Sequence, residues 1–230
     1  MENLHMNVAW LILLAAPVFV CSVAEAANYD ESKVPEYTLP DPLVLESGEK
    51  VNDADTWRQK RRPEILRMFE EQMYGKMPGA PEHFRVEVTE TSEEALDGKA
   101  TRKQVSIYFT ADQQRPRMDL LMYLPNDVSR PVPVFVGLNF SGNHSIEHDP
   151  HIAITDQWMR NRKGKGYVNH RATEESRGAA DSRWPVGRII DRGYGLVTAY
   201  YGDIDPDYDD GFQNGVHPLF YDEGQEKPRP

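Results

Sequence analysis

The segment from Pro131 to His144 constrains the fold most, because an uninterrupted apolar strand runs directly into a turn of small and amide residues. Strands that are apolar throughout are typical of parallel sheets, which are covered on both faces. Small residues let backbone N–H groups approach a ligand, and amide side chains can donate hydrogen bonds to an oxygen. The turn therefore predicts one side of an oxyanion site, and a plain tight turn is the alternative. The predicted oxyanion-side residues are Asn139, Ser141, Gly142 and Asn143.

The segments around this strand predict an α/β fold. Residues 84–89 and 105–109 alternate apolar and polar side chains, and residues 118–124 form a third strand signal, as in an antiparallel sheet with one buried face. Residues 184–190 predict a short helix, and residues 195–201 a second apolar strand. A strand, a helix and a strand of this kind form a parallel βαβ unit. Upstream, Asp53 or Asp55 can cap a helix that Gly75 ends and that packs on a core through an apolar face including Met68 and Phe69.

The N-terminus predicts export. Residues 8–20 are an apolar run without charge, and Ala24-Glu-Ala26 follows as a small-x-small cleavage pattern. We interpret residues 1–26 as a signal peptide of a secreted or periplasmic protein, with a retained N-terminal anchor as the alternative. Residues 27–50 are interpreted as a polar leader. The net charge of −11 argues against nucleic acid or an anionic membrane as partner, because both are bound by clusters of Lys and Arg.

Two motifs are similar to metal sites, but each lacks a structural feature or residue that such a site requires. His144-Ser-Ile-Glu-His148 matches the inverted zinc-protease pattern H-x-x-E-H, but Pro150 disfavours the helix that would place both histidines on one face. The acidic run at residues 203–211 lacks the glycine and the glutamate of a calcium loop. We therefore predict no metal and no cofactor. Asp203 and Asp205 are predicted to border a site after the second parallel strand.

A complete catalytic triad is not found in the sequence. No serine lies in a G-x-S-x-G frame, and the single cysteine, Cys21, lies in the predicted signal peptide. We therefore assign no catalytic residue to this chain.

Several segments resemble bacterial glucuronoyl esterases, which form carbohydrate esterase family fifteen and are often labelled acetyl xylan esterases. The similar segments are Glu70-Glu-Gln-Met-Tyr-Gly-Lys-Met-Pro-Gly79, the span from Val134 to Asn143, Gly193-Tyr-Gly-Leu-Val-Thr-Ala-Tyr-Tyr-Gly-Asp-Ile-Asp-Pro-Asp207, Asp210-Gly-Phe212 and Gly215-Val-His-Pro-Leu-Phe220. The resemblance implies an α/β-hydrolase three-layer sandwich with a serine nucleophile in the motif G-[CH]-S-R-x-G-K. That motif has no counterpart here, so residues 51–230 are predicted to be the N-terminal half of the domain, truncated before the nucleophile strand.

The resemblance also implies a function. We expect the N-terminal portion of an exported carboxylic ester hydrolase, inactive alone, whose full-length form cleaves esters of plant cell-wall glucuronoxylan or lignin–carbohydrate esters. The alternatives are a non-catalytic carbohydrate-binding remnant and a zinc-dependent hydrolase that uses His144 and His148. We further expect a free sheet edge beside residues 196–200, and poor solubility as its consequence.

Overall fold

The computed structural model describes residues 29–113 and 116–228. The predicted signal peptide and Cys21 lie outside these residues. The chain divides into two compact units, Met1–Arg67 and Met68–Pro230. Within the described residues, no helix has both the length and the apolar composition needed to cross a membrane.

The helical segment that begins after Asp53 starts and ends where the sequence predicts. The Asp53 carboxylate accepts a hydrogen bond from the backbone N–H of Thr56 at 2.7 Å, which caps the first turn. At the other end, Gly75 adopts a positive φ of 73°. The predicted packing of the apolar face on a core is wrong, because the side chains of Met68 and Phe69 are 48% and 41% exposed. The segment consists of α-helix Ala54–Thr56, π-helix Trp57–Arg61, α-helix Arg62–Phe69 and π-helix Glu70–Tyr74.

The second unit is built on a five-stranded mixed sheet. Its strands are β1 (Arg85–Glu94), β2 (Ala100–Tyr108), β3 (Arg117–Pro125), β4 (Val134–Asn139) and β7 (Gly195–Tyr200), in the order β1-β2-β3-β7-β4. The first three strands and β7 pair antiparallel, whereas β4 and β7 pair parallel. The predicted antiparallel strands and parallel βαβ unit are therefore confirmed.

The crossover helix covers one face of this sheet. Val186–Asp191 forms the helix between β4 and β7, and Val186 and Ile190 are almost fully buried. Their neighbours in the core include Leu121, Tyr123 and Leu196 from β3 and β7. These apolar contacts hold the crossover helix against β3 and β7.

The free sheet edge is not where the sequence suggested. We expected it beside residues 196–200, but β7 pairs with β3 on one side and β4 on the other. The crossover inserts β7 between two strands that precede it in the chain, so strand order in the sequence does not give order in the sheet. The two edge strands of this sheet are β1 and β4, and at the parallel side the edge is β4, where Phe135 and Val136 are 55% and 80% exposed.

The long segment after β4 packs against the carboxyl end of the parallel strands. It contains the 3-10 helices Asn143–Ser145, Glu174–Ser176 and Asp181–Arg183, and the two-stranded sheet of β5 (Tyr167–Val168) and β6 (Arg171–Ala172). Ile146 and Ile152 from this segment are fully buried in the main core. Met159 and Tyr167 pack with Tyr200 in a second cluster. The segment is therefore a packed part of the domain.

Candidate functional site

Asn139 organises the turn at the end of β4. Its side chain is 1% exposed, and its Nδ2 donates to Asn143 Oδ1 at 2.7 Å and to Thr198 Oγ1 at 3.1 Å. Its Oδ1 accepts from the Ser141 backbone N–H at 3.3 Å. Both donor positions of the amide are thus used inside the protein. Asn139 holds the turn against the neighbouring strand β7, and its side chain is not available to a substrate oxygen.

Asn143 extends this network to strand β3. Its Nδ2 donates to the backbone carbonyl of Asp119 at 2.7 Å, while its Oδ1 accepts from Asn139. The next link is Asp203, whose buried carboxylate accepts from the Asp119 backbone N–H at 3.0 Å. Hydrogen bonds therefore join the ends of β4, β3 and β7, and bring together Asn139, Asn143 and Asp203 from the predicted set.

Gly142 is required by both conformation and space. Its φ of 85° lies in the region that L side chains rarely adopt. A Cβ at this position would lie 2.5 Å from His144 Cε1 and 2.8 Å from His144 Nδ1. The backbone of the turn therefore approaches the buried histidine ring as only glycine permits.

Ser141 anchors the other side of the turn. Its Oγ accepts a hydrogen bond from the Arg162 guanidinium at 2.9 Å, and its carbonyl accepts from the Tyr167 hydroxyl at 2.9 Å. The four predicted residues therefore form one fixed turn. Because Asn139 uses both of its amide N–H groups and Asn143 already donates to Asp119, we expect backbone N–H groups to be the main donors in any oxyanion role, which stays a prediction.

The two histidines of the H-x-x-E-H pattern have different partners. His144 is fully buried, and its Nε2 lies 2.8 Å from Ser176 Oγ, whereas the exposed His148 lies 3.2 Å from Asp181 Oδ2. His144 is in the three-residue 3-10 helix Asn143–Ser145, which ends before His148. Within the described parts of the chain, no group of three or more His, Cys, Asp or Glu side chains is arranged to hold a metal ion. This arrangement does not have the geometry of a zinc-protease site.

The buried His144 is held neutral. Burial, helped by the positive charge of Arg177, lowers the pKa of its imidazole from 6.5 to about 4. The Ser176 hydroxyl beside it also has 0% exposure and donates to the Thr173 carbonyl at 2.6 Å. Although a serine and a histidine are within hydrogen-bond distance, a substrate does not reach this pair. It stabilises the segment after β4.

An open cleft lies on the loops beyond β4 and β7, next to the turn. Its volume is about 540 Å³. Asp205, which was predicted to border the site, lines it and lies 3.4 Å from the His217 imidazole. Tyr201 also lines it, and its ring centroid is 5.2 Å from that of Phe140 in the turn. The remaining lining residues are Arg160, Pro206, Asp207, Tyr208, Asp209, Asp210 and Phe212.

Sequence reasoning missed Thr198 and Asp119. Thr198 looks like an ordinary strand residue in the sequence, and only the parallel register of β4 and β7 places its hydroxyl near Asn139. Asp119 contributes through its backbone, which any residue type could supply. The aromatic lining of the cleft was also missed: Tyr201, Tyr208 and Phe212 lie in one segment after β7, but an irregular loop has no fixed spacing that predicts a shared wall. No local sequence signal marks Thr198 or Asp119.

Comparison with known proteins relates the chain to carbohydrate esterases. No family model matches it. It is 47% identical over 201 residues to Carbohydrate esterase MZ0003 from an unknown prokaryotic organism, which covers 87% of this chain and 46% of that protein. It is 27% identical over 195 residues to a 4-O-methyl-glucuronoyl methylesterase from Thermothelomyces thermophilus, covering 80% and 44%.

Solved structures agree with this relationship. A glucuronoyl esterase from Solibacter usitatus superimposes with a TM-score of 0.78 at 47% identity, over 87% of this chain and 50% of that one. A promiscuous CE15 esterase from a marine bacterial metagenome gives a TM-score of 0.72 at the same identity and coverage. The chain is therefore a homologue of the glucuronoyl esterases of carbohydrate esterase family fifteen, has part of their α/β-hydrolase fold, and spans about half the length of the relatives it matches.

Proposed function

We propose that this chain supplies the N-terminal half of a carboxylic ester hydrolase that acts on glucuronoyl esters of carbohydrates. The observation that carries the proposal is the fixed turn after β4, in a chain 47% identical to a carbohydrate esterase. Asn139 and Asn143 hold that turn at the carboxyl ends of the parallel strands. This end of an open α/β sheet is where ligands bind.

The role of this half is to position the ester oxygen. During acyl transfer, negative charge develops on the carbonyl oxygen, and preorganised N–H donors stabilise it. The hydrogen bonds from Asn139 and the glycine at position 142 fix the turn before a substrate arrives. A serine nucleophile, its histidine and its acid would come from the remainder of the whole protein. Ser176 and His144 do not serve in these roles, because both side chains are inaccessible.

The relatives and the N-terminus support proposals for the substrate class and for the location. Glucuronoyl esterases are among the relatives and solved neighbours, so we propose glucuronoyl esters of plant cell-wall xylan, including lignin–carbohydrate esters, as substrates. The apolar residues 8–20 support export before the enzyme meets such a polymer.

A hybrid protein tests the proposal. Residues of this chain would replace the matching half of Carbohydrate esterase MZ0003, and hydrolysis of a benzyl ester of D-glucuronate would be measured. We expect the hybrid to cleave the ester and the 230-residue chain alone to leave it intact. A folded hybrid without hydrolysis would contradict the proposal. Hydrolysis by the chain alone would place catalytic groups within these residues and refute the division of roles.

A second candidate is a carbohydrate-binding function without catalysis. The aromatic and acidic lining of the cleft near Tyr201 favours it, since such surfaces suit polyhydroxylated ligands. Binding of an oligosaccharide by the chain, combined with an inactive folded hybrid, would select this candidate over the esterase.

A further inference from the structure

The cleft beyond β7 is lined by aromatic rings, one of which packs against a stacked pair of rings behind it. Tyr208 is 45% exposed, and its ring centroid lies 5.2 Å from that of Trp158. Trp158 in turn stacks on His170 at 4.8 Å with an interplanar angle of 13°. Phe212 lines the same cleft and is 49% exposed. The Tyr208 ring is therefore supported by Trp158 and still presents apolar surface to the cleft.

The charges of the cleft restrict what it can bind. Among the described residues, four aspartates and Arg160 line it, and Arg160 is bound to Asp207 at 2.8 Å. Asp209 and Asp210 each use one oxygen to accept from a nearby backbone N–H. A carboxylate accepts through two oxygens, so acceptor capacity is left for a ligand. Such a site favours hydroxyl donors and repels a carboxylate.

The size of the cleft suits a small ligand, and its position is next to the turn after β4. Its volume of about 540 Å³ is within the usual range for small-molecule sites. Phe140, which lies in the turn after β4, packs against Tyr201 on the cleft wall. A ligand that occupies the cleft therefore lies beside the turn, not on a remote face of the domain.

We propose that this cleft is a subsite for a neutral oligosaccharide, whose ring faces stack on Tyr208 and Phe212 and whose hydroxyls donate to the surrounding carboxylates. This assignment to a substrate rests on the proposed function. In that context, the cleft holds the uncharged part of the carbohydrate chain. The glucuronoyl group, once hydrolysed, carries a negative charge and is repelled by the same carboxylates. The cleft thus accepts the neutral sugars of the chain and excludes from this subsite the glucuronate that hydrolysis leaves attached to it.

Binding by the 230-residue protein tests the subsite without any hydrolysis. Saturation-transfer NMR would be recorded with xylotriose, with D-glucuronate and with p-cresol as a simple aromatic alcohol. We expect transfer to xylotriose and little to D-glucuronate. Tyr208→Ala should reduce the xylotriose signal at least fivefold, and Tyr208→Trp should restore it. The matched control is Tyr37→Ala, which removes a tyrosine that is 72% exposed and lies outside the cleft.

Each outcome supports or overturns the subsite. Equal xylotriose signals in the parent and Tyr208→Ala proteins would overturn it, as would stronger transfer to D-glucuronate or p-cresol than to xylotriose. If Tyr208→Ala fails to fold, Asp209→Asn provides the second variant, because the amide oxygen can still accept from Gly211 N–H. That change should raise the D-glucuronate signal relative to xylotriose, and an unchanged ratio would refute the charge argument. The binding assay involves no ester cleavage. An inactive hybrid would therefore count against the esterase proposal and would not change the result for the subsite.

Discussion

Replacement of Asn139 by alanine should destabilise the protein by about 2–4 kcal/mol. The change removes two donated hydrogen bonds, to Asn143 Oδ1 and Thr198 Oγ1, and one accepted from Ser141 N–H. Each contributes about 1 kcal/mol net. The Thr198 side chain is 1% exposed, so water does not replace its lost partner and an additional desolvation cost of about 1 kcal/mol follows.

Asn126 offers a matched control. Its Nδ2 also donates twice, to the carbonyls of Glu93 and Gly98, and its Oδ1 accepts from the Thr101 hydroxyl. The residue is exposed, however, so water can replace these partners. We expect Asn126→Ala to cost less than about 1 kcal/mol.

Urea denaturation at low micromolar protein concentration, followed by circular dichroism, measures both variants. The midpoint should fall clearly for Asn139→Ala and little for Asn126→Ala, with the slope m unchanged. Equal shifts for the two variants, or an Asn139→Ala protein as stable as the parent, would refute the reasoning that burial makes this network stabilising.

Two further predictions concern pH and solubility. The folded-state pKa of His144 is lowered to about 4 from 6.5, so between these pH values the unfolded chain binds a proton that the folded protein does not. The free energy of unfolding should therefore be unaffected by His144 above about pH 6.5 and should fall by up to roughly 3 kcal/mol as the pH decreases towards 4. His144→Gln should remove this part of the pH dependence of unfolding, whereas His148→Gln, at an exposed position, should not; identical pH profiles for the parent and His144→Gln proteins would contradict it. Val136→Lys should reduce self-association of the 230-residue chain in sedimentation velocity, since Val136 is 80% exposed on the edge strand β4. The same change at Val128, which is exposed but outside a strand, should have a smaller effect, and a larger effect there would locate the association elsewhere.

The sequence was sufficient for elements that depend on local patterns. Alternating and continuous apolar runs predicted β1 to β4 and β7 because side-chain period reflects which faces of a strand are buried. The cap at Asp53 and the left-handed Gly75 were also predictable, since both depend on the chemistry of one residue. The free edge at β4 was not predictable from the sequence, because the order of strands in the sheet depends on where the crossover places β7.

The candidate site was predicted in place but not in detail. Asn139 and Asn143 were expected to offer amide donors, yet Asn139 uses both of its N–H groups inside the protein, and Asn143 donates to the Asp119 carbonyl. Sequence spacing identifies the turn as small and polar, but it does not give side-chain direction. The link from Asn143 through Asp119 to Asp203 exists only after three strands meet at one end of the sheet.

Hydrolysis by the hybrid protein with an altered turn tests most directly whether the turn after β4 belongs to the catalytic site. The measurement is kcat/KM for the benzyl glucuronate ester in the hybrid and in its Asn139→Ala and Asn126→Ala variants, at a temperature where all three are folded. Because small displacements of positioning groups reduce rates strongly, we predict a loss of about 100-fold for Asn139→Ala. Asn126→Ala, which alters a comparable network far from the turn, should retain nearly full activity. Full activity in folded Asn139→Ala, or equal losses in the two variants, would contradict a catalytic role for this turn.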